Sequence, residues 1–308
     1  MFQMNIHALI ATLFLSMSLV SGAPVAEHVI IISIDGGKPA VIQQSPMPVL
    51  KKLAVEGACA WGAQTIVPSI TLPAHTSMLT GVPMERHHIT WNDWRPTNGI
   101  VGVPTIFAAA KQAGFSTAMF VGKEKFRHLL QPGTVDEFCY DKSSAVTVLK
   151  SDRGDRDVHK EGCVFAQSVA TNAAAYILKK KPNLCFIHFT DADTVGHQFG
   201  WGSPEQIKAF ADTDTALGIV LAAIKKAGIA KCSVVIITAD HGGHGKGHGT
   251  TSPDDMNIPW IAWGCDVKKH FTITAPVNTC DTAATALWLL EAHPISPITG
   301  WPVTSVFK

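Results

Sequence analysis

The side chains able to do chemistry in this chain gather where apolar runs stop. HVIIISI (28–34) stops at Asp35-Gly36-Gly37, LCFIHF (184–189) runs into TDADTVGH, and SVVIITA (233–239) runs into DHGGHGKGHG. Asp193 and His197 are four residues apart, which puts both on one helical face where they can grip one ion. Asp240 and His241 are adjacent at the end of an apolar run. His248 comes later in a loop whose glycines let the backbone turn sharply. Each piece also has an ordinary reading: an aspartate often caps a helix, and DHGG can be a plain turn. What is specific is finding all of them, with carboxylate oxygens and imidazole nitrogens that suit a divalent ion.

Such donors need elements that bring them together. The apolar runs, with STAMFV (116–121) and IPWIAWG (258–264), suit strands buried on both faces of a parallel sheet. Helical patterns lie between them at 104–114, 163–180, 204–228 and 281–292. Strand alternating with helix predicts an α/β fold, a three-layer sandwich with a mostly parallel sheet and helices on both faces. In such a sheet, sites form beyond the carboxyl ends of the strands. Asp35, Asp191, Asp193, Asp240 and His241 all fall at that edge, where converging carboxylates repel unless a cation sits among them.

Two further pieces lie on the same edge. In PSITLPAHTSMLTG (68–81), Pro73 places Thr71 near the start of a helix, where backbone amides can face an anion. Thr71 alone reads equally well as a capping residue. Lys123 and Lys125, in VGKEKF, come directly after a strand. They read first as a solvated loop, and as phosphate contacts favouring a doubly charged monoester if one reaches the site.

These residues reach a family. The chain resembles the nucleotide pyrophosphatase/phosphodiesterase family of the alkaline phosphatase superfamily over roughly Val29 to Val306. The matching pieces, in order, are IIISIDGG, PSITLPAH…LTG, HHITWN, ADTVGH, TADHGG…HG and CDTAATALWLL…GWPV. The resemblance implies an alkaline-phosphatase-like sandwich and two zinc ions, manganese being the alternative with similar ligands. One ion would be held by Asp35, Thr71, Asp240 and His241, the other by Asp193, His197 and His248. It further implies Thr71 as nucleophile, through a phosphothreonine, and Asn92 as the contact to a phosphoryl oxygen. Trp91 and Trp94 stand beside Asn92, and Trp91 is the candidate for stacking on a substrate. His244 has no matched role. The family's tyrosine before ADTVGH is replaced by His188-Phe189-Thr190.

Other readings stay open. A sulfatase needs cysteine or serine where this chain has Thr71, and alkaline phosphatases use serine. A phosphomonoesterase and a phosphonoacetate hydrolase, which uses threonine, are alternatives. A non-catalytic exported zinc-binding protein would leave Thr71 and Asn92 without a purpose.

Composition bounds the rest. The chain has 308 residues, 46% of them hydrophobic, enough for a substantial core. With 25 Lys+Arg against 24 Asp+Glu there is no basic stripe for nucleic acid. Residues 1–23 read as a secretory signal and 24–308 as a single catalytic domain, exported to the periplasm or secreted, with no stable membrane span. Seven cysteines fit such export. Spacing suggests the pairs Cys139–Cys163 and Cys265–Cys280, with Cys59, Cys185 and Cys232 as buried thiols.

Overall fold

The computed structural model describes residues 25–151 and 158–308, and the signal-like segment lies outside them. Its strands are β1 (His28–Ile34), β2 (Ala58–Gln64), β3 (Thr117–Val121), β4 (Glu137–Cys139), β5 (Val146–Ser151), β6 (Val158–Cys163), β7 (Leu184–Phe189), β8 (Ser233–Thr238), β9 (Asn257–Gly264) and β10 (Phe271–Thr272). Its helices are α1 (Pro39–Gln44), α2 (Pro48–Glu56), α3 (Thr71–Thr80), α4 (Met84–His87), α5 (Ile106–Gln112), α6 (Ala166–Lys180), α7 (Asp191–Phe199), α8 (Pro204–Lys226), α9 (Pro253–Met256) and α10 (Asp281–Leu289). The main sheet runs β10-β2-β9-β8-β1-β7-β3-β4, and β5 with β6 forms a separate antiparallel pair.

The apolar runs form strands because both of their faces are covered. Along β1, Val29 and Ile31 enter one core with Leu72 and Met78 of α3, Phe107 of α5 and Leu287 of α10. Ile30, Ile32 and Ile34 enter the other, against Leu50 of α2, Val169 of α6 and Leu217 of α8. Each such side chain contributes roughly 1.5–3 kcal/mol on burial, and period-two alternation delivers it to two layers at once. This is the three-layer sandwich.

β8, β1, β7, β3 and β4 are mutually parallel. β9 is not: it runs antiparallel to both β8 and β2. The parallel expectation for IPWIAWG is corrected here, because burial on both faces does not report strand direction. Cys163, which the apolar pattern placed in the helix at 163–180, instead ends β6.

The cysteine pairing is corrected as well, because all seven are thiols. Cys265 comes directly after β9 at the amino edge of the parallel strands, whereas Thr279, next to Cys280, bonds Gln64 at the far end of β2. Cys139 sits opposite Phe120 and Cys163 opposite Lys123, three residues further along the chain. That is roughly 10 Å of strand, beyond a disulfide's reach. Cys59 and Cys185 are buried as expected, but Cys232 is only half-buried.

Candidate active site

The strand order builds the site. β1 lies between β8 and β7, so Asp35 at its end has Asp240 and His241 after β8 on one side. On its other side α7, which starts directly after β7, carries Asp193 and His197. Gly36 makes the turn after Asp35 with φ +69°, and a Cβ there would press on Asp193. Its amide donates to Asp240 Oδ1 at 3.1 Å, and the His241 amide donates to the same oxygen at 3.0 Å.

Two clusters of possible metal ligands result: Asp35, Asp240 and His241 in one, Asp193, His197 and His248 in the other. All six are buried. In the first, Asp35 Oδ1, Asp240 Oδ2 and His241 Nε2 are buried without a hydrogen bond, though His241 Nε2 is 3.4 Å and 3.2 Å from the two oxygens. In the second, His197 Nε2 and His248 Nε2 lie 3.2 Å apart and 3.2 and 3.5 Å from Asp193 Oδ1.

The tautomers decide what these nitrogens offer. Nδ1 of His241, His197 and His248 faces the carbonyl oxygens of Gly242, Lys246 and Ser69 at 2.8, 3.0 and 2.8 Å. A carbonyl only accepts, so each proton sits on Nδ1 and each Nε2 presents a lone pair. Buried lone pairs converging with carboxylate oxygens are costly without a cation, so the residues fit a divalent ion in each cluster. The clusters abut, with the His241 and His248 rings stacked at 3.6 Å.

Lys123 joins them. It is 1% exposed, and its Nζ is 2.6 Å from Asp35 Oδ2, 2.7 Å from Asp193 Oδ2 and 3.4 Å from Thr71 Oγ1. The solvated-loop reading is thereby overturned: an ammonium that looked free is the counter-charge of a carboxylate from each cluster. Lys125 is buried too and pairs with Glu161 at 2.8 Å. Burial and Asp193 push the Asp35 carboxyl up, but Lys123 and the hydrogen bond from His188 outweigh them and hold it well below the usual range. For Asp240, burial and the Asp35 charge prevail, pushing it well above.

α3 begins at Thr71, with Ile70 in the capping position. The Leu72 amide donates to Asn92 Oδ1 at 2.9 Å, Pro73 has no N–H, and the Ala74 amide returns to Ile70. The first turn therefore offers an anion fewer amides than its position suggests. Asn92 instead occupies that end, with its carboxamide oriented by Leu72. Trp91 is half-buried and packs edge-on to His128 at 5.4 Å, against the core.

Four neighbours escaped the sequence reading. His188 accepts from the Gly122 amide through Nδ1 and so donates through Nε2 to Asp35 Oδ2 at 2.8 Å. His75 lies between the Thr71 carbonyl and the Ser33 hydroxyl, 2.8 Å from each. Trp201 donates to the Gly36 carbonyl and packs edge-on to His197. It also fills the space beside Gly243, where any Cβ would collide with its ring. Glu161 comes from β6, a pair that the apolar periodicity does not register. The usable signal was a histidine inside a strand buried on both faces, as His188 is.

The profile of the type I phosphodiesterase / nucleotide pyrophosphatase family matches residues 29–246, most of the chain. The chain belongs to that family. A sulfatase profile also matches residues 204–292. Among curated relatives, ectonucleotide pyrophosphatase/phosphodiesterase family member 7 of Mus musculus is 24% identical over 241 residues, 72% of this chain and 52% of its own length. Family member 5 of Homo sapiens is 25% identical, covering 76% of this chain and 48% of its own length. The GPI ethanolamine phosphate transferase 1 of Saccharomyces cerevisiae is 24% identical across 75% of this chain and 25% of its own length. The chain thus spans about half the length of the first of these relatives, and less of the transferase.

Among solved structures, an inactive threonine-to-alanine form of murine ectonucleotide pyrophosphatase/phosphodiesterase 5, in complex with AMP, superposes with a TM-score of 0.73 at 16% identity. It covers 92% of this chain and 100% of that one. A 2-O glycosaminoglycan sulfatase gives 0.68 at 15% identity, covering 91% and 74%. Family and sulfatases share the fold.

Proposed function

We propose that this chain is an exported hydrolase of phosphate esters, acting on nucleotide-type diesters through Thr71 with two divalent ions. The observation that carries this reading is the position of the Thr71 hydroxyl. It is buried beside an ammonium that touches one carboxylate of each ligand cluster. Export rests on the signal-like amino terminus, and no helix among the described residues is long and apolar enough to cross a membrane.

Asp35, Asp240 and His241, with Thr71, would hold one ion, and Asp193, His197 and His248 the other. Nitrogen and oxygen donors of this kind suit zinc. Bound there, the ions supply the Lewis acidity that makes a hydroxyl a competent nucleophile and stabilises a departing oxygen. Thr71 Oγ1 forms the bond to phosphorus as the ester oxygen leaves, and water then hydrolyses the phosphothreonine. The Lys123 ammonium beside Oγ1 favours its deprotonated form. Asn92, whose Oδ1 accepts from the Leu72 amide, would donate through its NH2 group to a phosphoryl oxygen.

A second reading, a phosphomonoesterase, is favoured by Lys125, a second buried ammonium 2.8 Å from Glu161, whose other carboxylate oxygen lies 3.9 Å from Lys123: two cations beside the site suit a dianionic phosphate. Thr71→Ala tests the nucleophile: turnover of a p-nitrophenyl diester falls by roughly 10⁴-fold while metal content is unchanged. Undiminished turnover refutes the assignment. The ratio of mono- to diester kcat/KM in wild type and Lys125→Ala separates the two substrate readings.

A further inference from the structure

The opposite edge of the sheet carries a third set of mixed donors. Glu27, His28 and Cys232 offer a carboxylate oxygen, an imidazole nitrogen and a sulfur that all lie within 4.8 Å of one another. The backbone holds them there: His28 opens β1, Cys232 directly precedes β8, and the Glu27 amide donates to the Cys232 carbonyl at 2.9 Å. The Asn183 side chain donates to the Glu27 carbonyl at 2.9 Å and fixes the approach from the start of β7.

His28 is buried and shows the same ring arrangement as the three histidines at the carboxyl edge. Its Nδ1 lies 2.9 Å from the Pro182 carbonyl, which only accepts, so in the neutral ring the proton is on Nδ1 and Nε2 would be the nitrogen to bind an ion. A histidine oriented by a backbone carbonyl through its other nitrogen is the usual outer arrangement of a metal ligand. Sulfur, nitrogen and carboxylate together select a borderline-soft divalent ion over magnesium or calcium. Cys232 is half-buried and Glu27 exposed, so an ion can enter from solvent and keep a water in its remaining position.

We infer that Glu27, His28 and Cys232 form a zinc-class metal site, separate from the two clusters at the carboxyl edge, that staples the starts of β1 and β8. Its existence does not depend on the proposed catalytic function. Its chemistry is also distinguishable, because neither carboxyl-edge cluster contains sulfur.

Replacing the bound metal with cobalt(II) reads this directly. The wild type should show a thiolate-to-cobalt charge-transfer band in the near ultraviolet, together with one more metal equivalent than Cys232→Ser. Cys232→Ser and His28→Gln should both lose the band while keeping p-nitrophenyl ester turnover, and Cys163→Ser should keep the band. Zinc should raise the melting temperature of a Thr71→Ala, His248→Ala background, and adding Cys232→Ser should remove part of that rise. A wild type without the band, or a band that survives in Cys232→Ser, overturns the site. If Cys232→Ser fails to fold, Glu27→Gln serves in its place, with weakened metal retention expected and unchanged retention counting against the site.

Discussion

The two ligand clusters at the carboxyl edge use the same two kinds of donor, carboxylate oxygen and imidazole nitrogen, in opposite proportion, and are anchored differently. Asp35, Asp240 and His241 sit on the ends of adjacent central strands, and two backbone amides already fix Asp240 Oδ1. Asp193 and His197 ride on α7, a helix of only nine residues, and His248 on a glycine-rich loop, its ring bonded to the Ser69 carbonyl. Trp201 braces that side. Strand ends inherit the rigidity of a sheet whose faces are both buried. A short helix and a loop can shift without unpairing a strand. The difference sets an expectation: with ions bound, the first cluster should hold its ion in one geometry, and the second should tolerate exchange of what it binds.

The sharpest way to break that comparison is to remove one ligand from each. Asp240→Asn deprives the first cluster of a carboxylate and weakens the acceptor that shapes the Gly36 turn. It should cost more than 10³-fold in turnover and one metal equivalent, measured by elemental analysis on dialysed protein. His248→Ala should also lose one equivalent, with a smaller cost that exceeds the 10–100-fold typical of an outer partner. Added zinc should partly recover His248→Ala but not Asp240→Asn. If excess metal restores both equally, the strand-end cluster is no more rigid than the other.

The same contrast governs what could be read from residue order. Asp35, Asp240 and His241 were legible because long apolar runs must be buried strands, and the residues next after such a strand must lie at its end. Asp193 and His197 were legible from their spacing of four. Lys123 was not, because a lysine after a strand is ordinarily solvated, and its burial depends on two carboxylates distant in the chain. The roles of His75 and His188 were hidden for a related reason, although a histidine inside a buried strand marked the position of His188: each is defined by partners from other elements, Ser33 for one, Asp35 and Gly122 for the other. β9 was recognised as a strand but not as antiparallel, since direction is set by connection and not by composition.

Lys123 tests how far the two clusters are one unit. Lys123→Met keeps the length of the side chain but leaves the buried Asp35 and Asp193 carboxylates without their shared counter-charge. Breaking a buried pair from one side costs about 3–5 kcal/mol, so the chelated variant should melt well below chelated wild type. Zinc should recover most of that difference, because bound cations replace the missing charge. Equal melting of the two chelated proteins would mean that the ammonium is not what holds the clusters together.

The smallest expected effect lies inside the loop that carries His248. His244 is the loop's other histidine after His241, yet its side chain is 49% exposed and its Nδ1 is 2.7 Å from Asp255 Oδ1. Asp255 also accepts from the Thr250 amide and hydroxyl at 2.9 and 2.7 Å, while its own carbonyl takes the Gly242 amide. His244 is thus one of several ties on a buried carboxylate that shapes the loop. His244→Ala should keep both metals, change kcat less than about twofold, and lower stability by about 1 kcal/mol or less, as expected of a partly exposed pair. Metal content beside His248→Ala is the decisive measurement. If His244→Ala also releases an ion, the loop's shape and not its ligand governs the second cluster, and the contrast between the clusters becomes one of backbone anchoring alone.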